Sequence, residues 1–384
     1  MKYIYRNRKG KTIFTPLYKK YTDLFFQEIL AETTIRHTFE SFEPTNLVER
    51  YLLNAAQFSA AKNDAEVKLM QQQVFNEKGV LKGYQQFRQD VEPIAQVQQE
   101  TWLRVEYETA RRQAGAIEQF TRMQKDADLY PYWIYKGVMD SRERPEHVEM
   151  EDRVFQIGDA DSDSCFPPLD WNCRCKGEPI DGMFVEENGL KVSTPADAKQ
   201  YLEDNVDPQF RFNPAVQGAM PNDHSYFQGF PSANEGDAGT FGLPSAKDLG
   251  GDKELTGLAA KPFHQLVETI HGWKSLYHND HRGNIVFQNK ETLANVRLGD
   301  GAIHTIQKHQ RGFENIPRCI EKPTEIWGKW ENVGTQKVVL RAYLLIGRTS
   351  YAVLTRDGHI TDAFAFSNGS ENKLRNGLII GGNE

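Results

Sequence analysis

From about residue 20 to residue 128 apolar residues recur at spacings of three and four: Phe25 and Ile29, then Val67, Met70 and Val74, then Ile94 and Val97, then Trp102 and Val105. Glu, Gln, Lys and Ala fill the positions between, so the apolar set falls on one face of a helix and predicts a long-helix region. Pro44 and Pro93 mark helix boundaries in this reading, and Gly79 and Gly83 interrupt the pattern between them. The remaining faces are polar and Gln-rich. A solvated bundle accounts for them most simply, and helices laid against a partner account for them as well.

The period changes at residue 131. Short extended runs, Tyr132-Trp133-Ile134-Tyr135 and Arg153-Val154-Phe155-Gln156-Ile157, are separated by charged turns and followed by Pro167-Pro168, which predicts a small α+β unit up to residue 182. Residues 183–250 collect Pro, Gly, Asn, Asp and Ser, a composition that reads as a linker or extended arm. Beyond 255 helical patterns return at Leu258 to Tyr277 and Ala302 to Arg311. Four strand-like runs follow, Glu325 to Trp330, Lys337 to Ile346, Ser350 to Leu354 and Ile360 to Phe366, with Asp357-Gly358 a strong two-residue hairpin signal. Helices followed by a four-stranded antiparallel meander complete an α+β multidomain chain.

Composition removes other classes. A chain of 384 residues with 39% hydrophobic residues, 26% charged residues and only 4 Cys is neither a disulfide-stapled miniprotein nor a disordered chain. It contains no run of 18 apolar residues and no apolar secretion segment near Met1, so no membrane partner is expected and the thiols are read as reduced. The net charge of −7 is unevenly spread: residues 251–384 hold 17 Lys and Arg against 14 Asp and Glu, and residues 1–250 hold 29 against 39. A C-terminal part at +3 beside a remainder at −10 suggests a nucleic-acid-facing unit attached to something else.

The most specific string is Phe166-Pro167-Pro168-Leu169-Asp170-Trp171-Asn172-Cys173-Arg174-Cys175, preceded by Asp140-Ser141-Arg142-Glu143-Arg144-Pro145-Glu146-His147. Two prolines fix two φ angles and aim the segment that follows, and Cys-x-Cys alternation sends both thiols to one face of an extended chain with Arg174 opposite. With His147 and Cys165 these thiols form a weak candidate for a tetrahedral zinc site. The spacing is not the usual gap of two to four residues, and small buried thiols packing a turn are the favoured reading.

These residues, with a preceding helix over Arg104 to Arg111, resemble the phage Mu F-like minor head proteins across about residues 95–182. The resemblance implies a virion component made in the host cytoplasm, associated with portal and head proteins and acting in head assembly or DNA delivery. Carried over by position, Asp140, Arg142, His147, Pro167, Pro168, Cys173, Arg174 and Cys175 are its structural motif. Where the family commonly has a Gly after the His, this chain has Glu149-Met150-Glu151-Asp152. The domains are then 1–94 helical, 95–182 Mu F-like, 183–250 linker and 251–384 C-terminal.

Such head proteins frequently carry a toxin-like C-terminal domain. The helix-then-meander order here is similar to the barnase, EndoU, colicin and RelE-like nuclease fold. Metal-independent RNA cleavage uses the substrate 2′-hydroxyl as nucleophile, and it requires a base, an acid and cations on the phosphate. His309, Arg341, Thr355, Ser367, Lys373 and His304 are the candidate catalytic residues, and Arg348, Arg356 and Arg375 the candidate nucleic-acid contacts. His304 and His309, five apart, lie about 140° apart on a helix and do not share a face. A second His set, His264, His271 and His278, repeats every seven residues. The expected function is a minor head protein carrying a ribonuclease toxin domain with no cofactor, acting on tRNA or other host RNA and restrained by an immunity protein. The alternative is a purely structural head morphogenesis protein whose C-terminal domain binds nucleic acid, portal or another partner without catalysis.

Overall fold

The structure, a computed structural model, describes residues 1–7, 13–34, 45–217, 220–221, 224–228, 230, 234–245, 248–249, 260–292, 294–309, 311–334, 336–347, 349–367 and 370–382. It forms two compact units. The first comprises Met1–Arg8, Leu24–His37 and Lys68–Gln228, and the second Lys9–Asp23, Thr38–Val67 and Gly229–Glu384. After the short α1 (Lys2–Arg6), the long helices α2 (Thr15–Thr34) and α3 (Thr45–Gln72) each give residues to both units.

In the first unit α4 (Tyr84–Gln96) runs through a π-helical stretch, Val97–Trp102, into α5 (Leu103–Lys125). Pro93 does not end a helix as its position suggested: it lies inside α4. Its missing N–H removes one helical bond, and the wider π turn follows four residues later. Pro44 lies outside the described residues. Gly79 falls in the turn before α4 with φ of +73°, where a residue without Cβ is at no disadvantage.

The chain then builds β1 (Tyr132–Lys136), α6 (Pro145–Val148), β2 (Val154–Gln156), α7 (Ala160–Ser164) and β3 (Lys176–Ile180), the strands forming an antiparallel sheet in the order β2-β1-β3. Alternation along β1 divides its core. Ile134 packs with Val154 and Ile180 on one face, while Trp133 stacks on Phe155 at 4.6 Å and meets Phe166 at 5.1 Å on the other. Phe166 in turn meets Phe120 of α5 at 4.8 Å, so the helix covers that face.

The stretch read as a linker begins as ordered structure: α8 (Gly182–Glu187), α9 (Pro195–Asn205) and α10 (Pro214–Gln217). A reciprocal cap between Thr194 and Asp197 starts α9, and Tyr201, Leu202, Phe210 and Phe212 are buried. The composition is that of an arm, but these aromatic residues supply enough apolar surface to hold it down.

The second unit holds α11 (Phe263–Leu276), β4 (His278–Asn279), β5 (Ile285–Gln288), β6 (Asn295–Leu298), α12 (Asp300–Ile306), α13 (Ile316–Glu321), β7 (Glu325–Val333), β8 (Gln336–Leu345), β9 (Thr349–Arg356), β10 (His359–Ser367) and β11 (Leu378–Gly381). The four-strand meander is there, inside a larger sheet of order β11-β7-β8-β9-β10-β6-β5-β4 that is antiparallel except between β10 and β6. Asp357 and Gly358 turn between β9 and β10 with φ of +44° and +77°. Both central residues are thus left-handed, as the twist of a two-residue hairpin requires. Ile316-Pro317, read as a turn, instead opens α13, where proline in the first turn costs no helical hydrogen bond.

The solvated bundle fails for α3. Within the second unit Glu49, Ser59, Lys62, Asn63, Asp64 and Glu66 are all buried. Several polar groups of this helix are used inside the unit: Asn63 accepts from the Phe14 amide at 2.7 Å, Glu66 accepts from the Tyr21 hydroxyl, and the half-buried Gln57 accepts from Trp330 Nε1 at 3.2 Å. Small residues at Ala55, Ala56, Ala60 and Ala61 bring the helix close to its neighbours.

Candidate functional site

The Asp140 and Cys173 segments meet in the first unit. Arg174 makes two parallel bonds of 2.7 Å to the two carboxylate oxygens of Asp140, the fork geometry that suits a guanidinium, and Arg142 lies 3.6 Å from the same carboxylate. Arg144 donates to the Trp171 carbonyl at 2.9 Å and pairs with Asp170 at 3.0 Å. From α5, Thr109 accepts from the Asn172 amide at 2.9 Å. Pro167 and Pro168 are buried beneath this loop. The loop is therefore fixed on three sides.

While Arg174 is directed to Asp140, Cys173 and Cys175 share a cluster with His147 of α6, in which one ligand atom from each lies within 4.8 Å of the others. Cys175 Sγ is 3.5 Å from His147 Nδ1 and 3.1 Å from Glu143 Oε1, and His147 Nδ1 is 3.4 Å from Glu143 Oε1. Glu143 was not among the sequence candidates. It lies in the turn before α6, past the extended Arg144, so no helical spacing marked it in the sequence. Cys165 is not part of the cluster: its buried thiol lies 3.7 Å from the Ala198 carbonyl, and burial pushes it up to about 12. Lying only eight residues from Cys173 placed it in the wrong set, since α7 turns it toward α9.

The cluster is electrostatically coupled. A hydrogen bond between the two thiols lowers Cys173 and raises Cys175 above the ordinary thiol range. Burial alone would lower His147, but its contacts with Cys175 and Glu143 raise it. Burial would likewise raise Glu143, yet the Cys175 thiol and the Val138 amide, which donates to Oε2 at 3.0 Å, hold it below the usual carboxylate value. A cavity of about 640 Å³ lined by Arg112, Gln119, Pro167, Cys173 and Cys175 opens beside it.

The candidate catalytic residues of the second unit come together only in part: Arg341, Thr355 and Lys373 line one groove, and His304, His309 and Ser367 are not among its lining residues. Arg341 is buried against α3, its Nε 2.7 Å from Glu49 Oε2, so its guanidinium cannot reach a substrate phosphate. Thr355 is buried beside it in register, on the same sheet face. Arg375 is buried too: it pairs with both oxygens of Glu325 at 2.7 and 2.8 Å and with the Pro244 carbonyl at 2.9 Å, and it is no nucleic-acid contact. Arg356 is exposed but paired with Glu331 at 2.7 Å. With Lys373, Arg341 and Thr355 it lines a groove of about 210 Å³ that also includes Lys329 and Asn376. Exposed Ser367 ends β10, and exposed His304 contacts Gln307 at 2.8 Å. His309, past the end of α12, is exposed and held by Asp362 at 3.1 Å. Arg348 lies outside the described residues. The seven-residue His stripe also breaks up, because α11 ends at Leu276 and His278 begins β4.

Residues 77–178, all within the first unit, match the family described as Phage Mu protein F like protein. The chain therefore carries a Mu F-like segment that includes the whole Asp140 to Cys175 motif. It is similar to a protein F of Escherichia phage Mu, named for capsid assembly, with 41% identity over 87 residues, covering 23% of this chain and 20% of the relative. It is also similar to the Mu-like prophage FluMu F protein of Haemophilus influenzae, with 31% identity over 104 residues, covering 27% of this chain and 25% of the relative. The matched part is thus a quarter or less of each relative's length. No solved structure matches the chain. No helix among the described residues is long and apolar enough to cross a membrane.

Proposed function

We propose that the chain is a minor component of a phage or prophage head, acting in head assembly through its first unit and associating with portal or other head proteins. One observation carries this: the Mu F-like match coincides with the loop that Asp140, Arg144 and Arg174 hold fixed, a rigid surface element of the kind an assembly contact requires. The test is genetic and biochemical, in the phage or prophage that encodes it. Deleting the chain should lower the yield of filled heads, and mass spectrometry of purified wild-type heads should detect it. Normal head yield without the chain, together with its absence from purified heads, would remove the proposal.

A second reading, cleavage of host RNA by the second unit after delivery to a host cytoplasm, keeps one supporting feature: an exposed imidazole, His309, oriented by the Asp362 carboxylate. Arg341 and Arg375 take no part in it. Full-length chain incubated with total RNA and excess EDTA should cleave it, and His309→Ala should not. Intact RNA with the wild-type chain ends this reading, and with it the need for an immunity partner.

A further inference from the structure

We propose that His147, Cys173 and Cys175 bind a zinc ion in the first unit, with the Glu143 carboxylate completing the site. The inference rests on donor geometry and does not depend on the role in head assembly.

The donors fit the metal. With Zn–S near 2.3 Å and Zn–N and Zn–O near 2.0–2.1 Å, tetrahedral coordination sets an S–N edge of about 3.5 Å and an N–O edge of about 3.3 Å. Cys175 Sγ to His147 Nδ1 is 3.5 Å, and Glu143 Oε1 to His147 Nδ1 is 3.4 Å. Glu143 Oε1 to Cys175 Sγ, at 3.1 Å, is shorter than the S–O edge of about 3.5 Å expected around zinc. Glu143 lies outside the group formed by His147, Cys173 and Cys175, and closing the tetrahedron requires its Oε1 to turn toward Cys173. Two thiolates and an imidazole select a thiophilic ion over magnesium or calcium.

The surroundings are those of a supported site. The Val138 amide holds Glu143 Oε2 at 3.0 Å and Arg174 stands 3.9 Å from the same oxygen, so the oxygen presented to Cys175 and His147 is Oε1. Tyr135, with no exposed surface, lies on the same β1 face as Trp133. The cavity that Cys173 and Cys175 line gives an ion a way in. On binding, both thiols lose their protons to solvent and the sulfur lone pairs form the two bonds to zinc, with no change of oxidation state.

Purified, reduced full-length chain should contain one zinc per chain by elemental analysis. The metal-stripped chain titrated with cobalt(II) should develop sulfur-to-cobalt charge-transfer absorption and the intense visible bands of a tetrahedral ion. Cys173→Ser and Cys175→Ser should each abolish the charge-transfer pattern of the two-thiolate site, while Cys165→Ser should keep it. Glu143→Gln should weaken zinc affinity by about 10- to 100-fold. Should the ligand variants not fold, the wild-type chain still decides the matter, because two thiols should resist labelling until a chelator is added. Absence of cobalt charge-transfer absorption in the wild-type chain, or labelling indifferent to the chelator, overturns the proposal.

Discussion

Replacing Arg341 by Met tests whether that residue is part of the core or a hand for phosphate. In the structure the substitution leaves the Glu49 carboxylate buried beside Asp357, with Arg297 and Arg50 the remaining cations, Arg50 lying 3.6 Å from Asp357 itself. Burial is the largest influence on Glu49 and raises it, and Arg341 is the main opposing one. Without Arg341 the carboxyl takes up a proton. Measured from the ordinary value of 4.5, neutralising it at pH 7 costs at most about 2.5 pH units, or about 3.4 kcal/mol, and less by whatever the wild type, already raised, pays. That agrees with the roughly 3–5 kcal/mol lost when one partner of a buried pair is removed. Hydrogen exchange of the β8 and β9 amides is a suitable assay, because it reads opening of this sheet without requiring the two units to unfold together. Arg341→Met should speed exchange by up to about 300-fold at pH 7, after correction for intrinsic rates, and the penalty should shrink as pH falls toward 4.5. Adding Glu49→Leu should recover most of the loss, since a well-packed apolar pair removes the uncompensated charge. A single variant within about 1 kcal/mol of wild type at pH 7, or a penalty undiminished at low pH, refutes the buried-pair account.

Arg375→Met should likewise cost roughly 3–5 kcal/mol, read as lost protection in β7 and β11, because no other guanidinium pairs with Glu325 among the described residues; unchanged protection would return Arg375 to the surface. Gly177→Ala places a Cβ 2.2 Å from the Phe166 ring and should destabilise the first unit by about 1–3 kcal/mol, with Phe166→Leu partly restoring its melting temperature. A melting temperature unaffected by the alanine would mean that the ring is not seated there. Asp163 is pushed up to about 6 by burial, so its protonated form favours the fold: that contribution is present below 3.8 and lost as pH rises through about 6. Carbon NMR should place the Asp163 midpoint near 6, and Asp163→Asn should raise the melting temperature at pH 7 but not below 3.8. A midpoint in the ordinary carboxylate range contradicts this.

What was legible in the sequence was what neighbours along the chain decide. The three-and-four spacing located α3 to α5, and Asp357-Gly358 located the β9–β10 turn, because helix faces and hairpin dihedrals are local. Strands β4, β5, β6 and β11, of two to four residues, are too short to show an alternating pattern, and the sheet doubled without warning. Interior charge was the main failure, and it failed for one physical reason. A Glu in a polar helix and an Arg in an alternating strand each look solvated, and only their pairing across the fold makes burial tolerable: Glu49 with Arg341, Glu325 with Arg375. The cysteine block was legible to a different depth. Alternation put Cys173 and Cys175 on one side and Arg174 on the other, whereas Glu143, in the turn before α6, carried no periodic signal and chain proximity misassigned Cys165. Periodicity identifies side chains that share a face, and burial then decides what that face does. The same Arg, Glu and His that suggested phosphate chemistry in the second unit are mostly consumed in holding its sheet to α3 and to itself. The residues of the first unit that seemed merely structural are the ones left with unspent ligand chemistry.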